Sequence, residues 1–139
     1  MSAAEPVGPT QTQEIAGDDD VVRVRQLVRA AAVATKLSLV DQTKLVTAAS
    51  ELARNTLLYG GGGRAEVQPV TNGRRTGIRL TFTDDGPGIP DVERAFTDGY
   101  STAGGLGLGL SGARRLMDEF DLQTEVGKGT VVTAIKWER

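Results

Sequence analysis

Gly77-Ile78-Arg79-Leu80-Thr81-Phe82-Thr83 runs directly into Asp84-Asp85-Gly86-Pro87-Gly88-Ile89-Pro90, and the join between these two stretches decides the fold. In the first stretch Ile78, Leu80 and Phe82 alternate with their neighbours, the period of a strand with one buried face. The second is rich in Asp, Gly and Pro, residues that end a strand in a turn. Upstream, 64–70 alternates loosely, and Thr71-Asn72-Gly73-Arg74-Arg75 reads as the turn that folds it back on 77–83 as a hairpin.

Further upstream the period lengthens. Val24, Leu27, Val28, Ala31 and Ala34 recur at helical spacing through about Lys36, and Asp18-Asp19-Asp20 supplies a cap and negative charge at the start. A second helix is signalled by Asp41, Leu45, Ala48, Ala49, Leu52 and Thr56, and ends at Tyr59 before four consecutive glycines, Gly60 to Gly63. Residues 1–13 carry only Val7 as a branched apolar residue, too little to offset the entropy of ordering, and are expected to be a disordered leader to a single domain over 14–139.

Downstream, 91–105 is polar and contains glycine, with one helical turn expected near 92–96, and reads as a loop or lid. A helix is expected over 110–120, then a second hairpin from 122–126, a Gly127-Lys128-Gly129 turn and 130–137. The order helix, helix, hairpin, loop, helix, hairpin predicts an α+β fold with helices on one face of a mostly antiparallel sheet.

A chain of 139 residues makes one ordinary domain, so function sits on one scaffold. Sixteen basic against eighteen acidic residues leave a net charge of −2, with no broad field for nucleic acid or an anionic membrane. The chain has neither cysteine nor histidine, which excludes thiol catalysis, soft-ligand zinc sites, Ser-His nucleophiles and phosphohistidine. Carboxylates, amides and backbone groups remain. No apolar run reaches the roughly 18 residues of a membrane span, and the expectation is a soluble, cytoplasmic protein.

Three motifs carry chemistry. Glu51 and Asn55 lie four residues apart, about one turn on the same helical face. Mg²⁺ takes few protein ligands and completes its shell with water and phosphate oxygens, which suits a single Asn55 amide oxygen. A carboxylate one turn earlier, Glu51, could take a proton from an attacking hydroxyl. Such a pair also fits a plain solvated face. Asp84, at a strand end, could accept the exocyclic amino group of adenine, while Gly86 and Gly88 let backbone approach a purine; an Asx-turn uses the same residues.

Gly104-Gly105-Leu106-Gly107-Leu108-Gly109 opens a helix with flexible backbone N–H groups suited to phosphate, although a linker could share that composition. Gly107-x-Gly109-x-x-Gly112 matches the dinucleotide fingerprint, yet no strand precedes it. Gly127-Lys128-Gly129-Thr130 lacks the Lys-Ser/Thr adjacency of a P-loop, and Ala134-Ile135-Lys136 has no kinase catalytic loop after it. Thr130 could hydrogen-bond near Asp84 if their strands are neighbours. The set describes an ATP site.

The ordered motifs E-x-x-x-N, D-x-G-x-G, G-x-G-x-G and G-x-G-T resemble the nucleotide boxes of the GHKL (Bergerat-fold) ATPases over roughly residues 45 to 131. Within them, Ser50-Glu51-Leu52-Ala53-Arg54-Asn55, Asp98-Gly99-Tyr100-Ser101-Thr102, Arg115-Leu116-Met117-Asp118-Glu119-Phe120 and Ala134-Ile135-Lys136-Trp137 look like the RsbT-type switch kinases of bacterial stressosome pathways. The resemblance implies a two-layer α/β sandwich and a serine/threonine protein kinase that uses ATP and Mg²⁺. It further implies phosphorylation of STAS-domain proteins and, on release, activation of a PP2C-type phosphatase.

By that resemblance Glu51 is the catalytic base and Asn55 the metal ligand. Asp84 contacts adenine, and Gly86, Gly88, Gly104, Gly105, Leu106, Gly107, Gly109 and Thr130 complete the nucleotide site. Two alternatives stand beside this reading. One is an anti-sigma factor kinase that holds a sigma factor and phosphorylates its antagonist; the other is a nucleotide-gated binding module that transfers nothing.

Overall fold

Ile78, Leu80 and Phe82 point to one face of a strand, β4 (Thr76–Asp84), and all three are buried. The structure is a computed structural model that describes residues 4–96 and 110–139. Strand β3 (Gly63–Thr71) pairs antiparallel with β4 in a register from Gly63 opposite Asp84 to Thr71 opposite Thr76. The turn between them is closed by Asn72, whose Oδ1 accepts from the backbone N–H of Arg74 at 2.9 Å and of Arg75 at 2.8 Å. This is the Asx device expected of such a turn.

On the other side of β4 lies β6 (Gly129–Trp137), with Asp84 opposite Thr130, and β5 (Glu119–Glu125) pairs with β6. Two short strands, β1 (Glu5–Pro6) and β2 (Gln11–Ile15), both pair with β3. The sheet order is therefore β1-β3-β4-β6-β5, with β2 also on β3, and every pairing is antiparallel.

Helices α1 (Asp18–Ala34) and α2 (Leu39–Leu58) bury Val24, Val28, Ala32, Leu45, Ala49 and Leu52 against the face that carries Ile78, Leu80, Phe82, Val132 and Ala134. Helix α1 begins where Asp20 Oδ2 accepts from the backbone N–H of Ala16 at 2.8 Å and of Gly17 at 3.2 Å, satisfying donors before the first turn. Helix α2 starts on Ser38, whose Oγ accepts from Asp41 N at 3.1 Å. A single turn, α3 (Val92–Ala95), and the short α4 (Leu110–Leu116) follow β4. Together they form an α+β sandwich of two layers.

Two expectations are corrected. Residues 5–6 and 11–13, read as part of a disordered leader, lie in strands on the edge of β3. Composition measures only what side chains can bury, whereas here the backbone gains partners: Val7 N donates to Pro69 O at 3.0 Å, and β2 pairs with β3 from Gln11 to Ile15; a side-chain bond from Gln68 Nε2 to Thr10 Oγ1 at 2.8 Å adds to them. Ile15, 1% exposed, anchors the segment in the core. The helix expected to reach residue 120 stops at Leu116. Asp118 N donates to Ile135 O at 2.9 Å, and its carboxylate accepts Trp137 N at 2.7 Å, which draws the chain into the sheet.

One polar cluster is sealed beneath the start of α2. Lys136, 3% exposed, places Nζ 3.7 Å from Asp41 and 3.6 Å from Asp118, and Asp118 also pairs with Arg139. Lys136→Met is expected to destabilise the fold by roughly 3–5 kcal/mol, since Asp41 would be left buried without its cation. Urea unfolding measures this, and a loss below about 1 kcal/mol would show the cluster to be dispensable.

Candidate functional site

Leu52, Asn55, Thr56 and Tyr59 follow the three- and four-residue steps of one helical face, and that face of α2 shares a cleft with residues of three strands. Phe82 and Asp84 come from β4, Thr130 and Val132 from β6, and Leu122 from β5. With Gly60, Gly88, Ile89 and Leu110 they line a narrow cleft that opens to solvent. Its walls are mostly apolar, and its polar side chains are few and converge: Asn55, Thr56, Tyr59, Asp84 and Thr130. A cleft of this kind holds a flat apolar ring and orients it by a small number of hydrogen bonds.

Asp84 is held from two sides. Its Oδ1 accepts from Gly86 N at 2.9 Å, and the backbone N–H of Thr130 on the neighbouring strand also hydrogen-bonds to the carboxylate. Burial pushes its pKa above the ordinary carboxylate value, partly opposed by those two donors. Space beside it is scarce. A Cβ on Gly60 would come within 2.4 Å of Asp84 Cγ, and one on Gly86 within 2.7 Å of the Gly60 backbone.

Gly88 has φ +76°, and a Cβ there would meet Glu125 O at 2.4 Å. The sequence reading gives Gly86 and Gly88 the task of admitting a purine. In the structure their missing side chains also admit neighbouring backbone, so that the 84–90 turn, the end of α2 and the β5–β6 turn fit together. Gly127 N adds a bond to Pro87 O at 2.9 Å.

The predicted site residues fall into three groups. Asn55, Asp84, Gly88 and Thr130 line the one cleft, with Gly86 hydrogen-bonded to Asp84. Glu51 lies one turn before Asn55 on α2 but does not line the cleft; it is partly exposed and ion-paired with Arg54 at 3.1 Å. Gly104, Gly105, Leu106, Gly107 and Gly109, with most of the loop read as a lid, lie outside the described residues.

Sequence reasoning missed Thr56, Tyr59, Gly60, Ile89 and Leu122 as lining residues. Thr56 and Tyr59 share the spacing of Leu52 and Asn55, and that signal could have found them. Among the described residues no group of three or more carboxylate, His or Cys side chains could hold a metal ion. Asn55 brings a hard amide oxygen to the wall of the cleft, a donor type compatible with an ion held mainly by phosphate and water.

The family model for histidine kinase-, DNA gyrase B-, and HSP90-like ATPases matches residues 40–138. The chain is 48% identical over 120 residues to the serine/threonine-protein kinase RsbT of Bacillus subtilis, covering 86% of this chain and 90% of that one. It is 32% identical over 99 residues to an anti-sigma F factor of Geobacillus stearothermophilus, covering 66% of each.

Among solved structures, a Mycobacterium tuberculosis protein with RsbU and RsbW domains superposes with a TM-score of 0.67 at 18% identity, covering 95% of this chain and 33% of that one. The catalytic domain of the histidine kinase ThkA superposes with a TM-score of 0.54 at 17% identity, covering 92% and 96%. At such identities these two speak for the fold alone.

Proposed function

The chain belongs to the histidine kinase-, DNA gyrase B-, and HSP90-like ATPases and is a homologue of the serine/threonine-protein kinase RsbT; from that premise we propose that it transfers the γ-phosphoryl group of ATP to a Ser or Thr of a STAS-domain protein. The observation that carries this reading is the meeting of Asn55 and Asp84, 29 residues apart in the chain (84 − 55 = 29), on the wall of one cleft. Asp84 accepts from the amino group of adenine, and the apolar walls hold the ring. Asn55 would hold Mg²⁺, which when bound would neutralise charge on the phosphate oxygens.

Glu51, reachable from solvent, takes the proton of the acceptor hydroxyl as its oxygen bonds to the γ-phosphorus and the bond to the β,γ-bridging oxygen breaks. ADP departs. For Glu51 to act it must leave Arg54, an exchange that costs little for so exposed a pair. The wider role we assign is that of a partner switch in bacterial stress signalling: a stressosome scaffold as substrate, and a PP2C-type phosphatase activated when the kinase is released. The place of action is the cytoplasm. Among the described residues no helix is long and apolar enough to cross a membrane.

Incubation with γ-labelled ATP, Mg²⁺ and purified STAS proteins, with the product mapped by mass spectrometry, tests the reading. Label on Ser or Thr of a large STAS scaffold is expected. Label confined to a small STAS antagonist, with capture of a sigma factor, would favour the anti-sigma reading that the 32% identical relative keeps open. Tight ATP binding with no transfer to any STAS protein would leave a nucleotide-gated binding module.

A further inference from the structure

Thr124, on β5, stands outside the cleft lining yet connects three of the parts that build it. Its Oγ1 accepts from Ile89 N at 2.9 Å, faces Gly129 O at 3.2 Å and lies 2.9 Å from Thr130 Oγ1. Ile89 and Thr130 both line the cleft.

A threonine hydroxyl has one proton to give and two lone pairs to receive. All three contacts of Thr124 are satisfied in only one arrangement. Its proton goes to Gly129 O, and its lone pairs take the N–H of Ile89 and the O–H of Thr130. Were the Thr124 proton turned to Thr130 instead, Gly129 O would lose this donor. The arrangement with more bonds also consumes the only proton of Thr130. What Thr130 then presents to the cleft is a pair of acceptor positions, beside an Asp84 carboxylate that, when ionised, also only accepts.

We infer that Thr124 is a positioning residue that fixes the hydrogen-bond polarity of the cleft, holding Thr130 as an acceptor and Ile89 in place, so that the site selects a base bearing an amino group over one bearing a carbonyl at the same position. This rests on the nucleotide-site reading above. A ligand amino group meets two acceptors. A ligand carbonyl meets the same two and finds no proton, which leaves polar groups facing each other unpaired.

The test compares ADP with inosine diphosphate, which carries oxygen in place of the 6-amino group, by calorimetry on the full chain with Mg²⁺. Wild type is expected to favour ADP. In Thr124→Val the hydroxyl of Thr130 is released to donate, and the ADP preference should shrink by about tenfold, while Thr124→Ser, which restores the oxygen, should recover it.

Equal weakening of both ligands in Thr124→Val, or no change in either, would overturn the inference, because a merely structural threonine acts on both alike. Should Thr124→Val fail to fold, Thr124→Ala decides: a shrunken ADP preference supports the relay, and an unchanged preference sinks it. A wild-type protein that binds neither ligand would instead defeat the reading of the site itself.

Discussion

Asn55→Ala should abolish magnesium-dependent phosphoryl transfer, lowering kcat by roughly a thousandfold or more, while leaving the protein folded. Phosphoryl transfer gains most of its acceleration from positioning and from charge neutralisation, and both fail when the ion loses its protein contact. The stability cost is expected to stay within about 1 kcal/mol. Asn55 is only half-buried and lies on an ordered helix where alanine has the better propensity.

Two measurements separate the roles. Single-turnover transfer with Mg²⁺ should collapse, whereas ADP affinity in EDTA should scarcely move. Transfer at the wild-type rate would remove Asn55 from the mechanism. A parallel loss of EDTA-insensitive affinity would make it a base or ribose contact instead.

Asp84→Asn should weaken ATP binding on the order of a hundredfold and GTP binding little, so that discrimination between the two purines is lost. The carboxylate has two oxygens, and one already receives Gly86 N. An asparagine that keeps this bond turns its NH₂ toward the place of the exocyclic amino group, donor against donor. Equal losses for ATP and GTP would refute the adenine contact.

Acidification should act in the same direction as the substitution. Burial raises the Asp84 pKa, so the neutral form is favoured in the folded protein. That contribution to stability is complete below the unfolded pKa and disappears as pH rises through the folded one. ATP needs the ionised form, so affinity should fall as pH drops through the raised pKa, earlier than an ordinary carboxylate would allow. In Asp84→Asn this component of the pH profile should be missing.

Much of the fold was legible because its signals are local. The alternation at Ile78, Leu80 and Phe82, the Asn72-Gly73 turn and the glycines after Tyr59 each constrain a few neighbouring residues, and each appears where the chain announces it. The errors lie where distant parts decide. β1 and β2 are held by the edge of β3, 48 to 66 residues downstream (63 − 15 = 48; 71 − 5 = 66), and no property of Gln11-Thr12-Gln13 announces that edge. The Arg115-to-Phe120 stretch reads as helix until Ile135 and Trp137 claim Asp118.

The site divides in the same way. Asn55 and Asp84 could be placed by motif and spacing, since the chemistry they suit requires those residue types. Gly60 was read as a helix stop, and nothing local says that Asp84 packs against it. Thr124 carries no motif at all. Its importance comes from which oxygen and which amides the β5–β6 register and the 84–90 turn bring within reach.

β6 comes last in chain order among the described elements, yet it occupies an interior place in the sheet, between β4 and β5. Until the ribosome has delivered it, β4 carries a bare edge, and the cleft lacks Thr130 and Val132. Bringing Thr130 beside Asp84 closes a span of 46 residues (130 − 84 = 46), a larger loop-closure cost than the local β3–β4 hairpin carries. The wall of the cleft is thus complete only once β6 has docked. The interval before β6 docks is when a growing chain is most exposed to aggregation and to capture by chaperones.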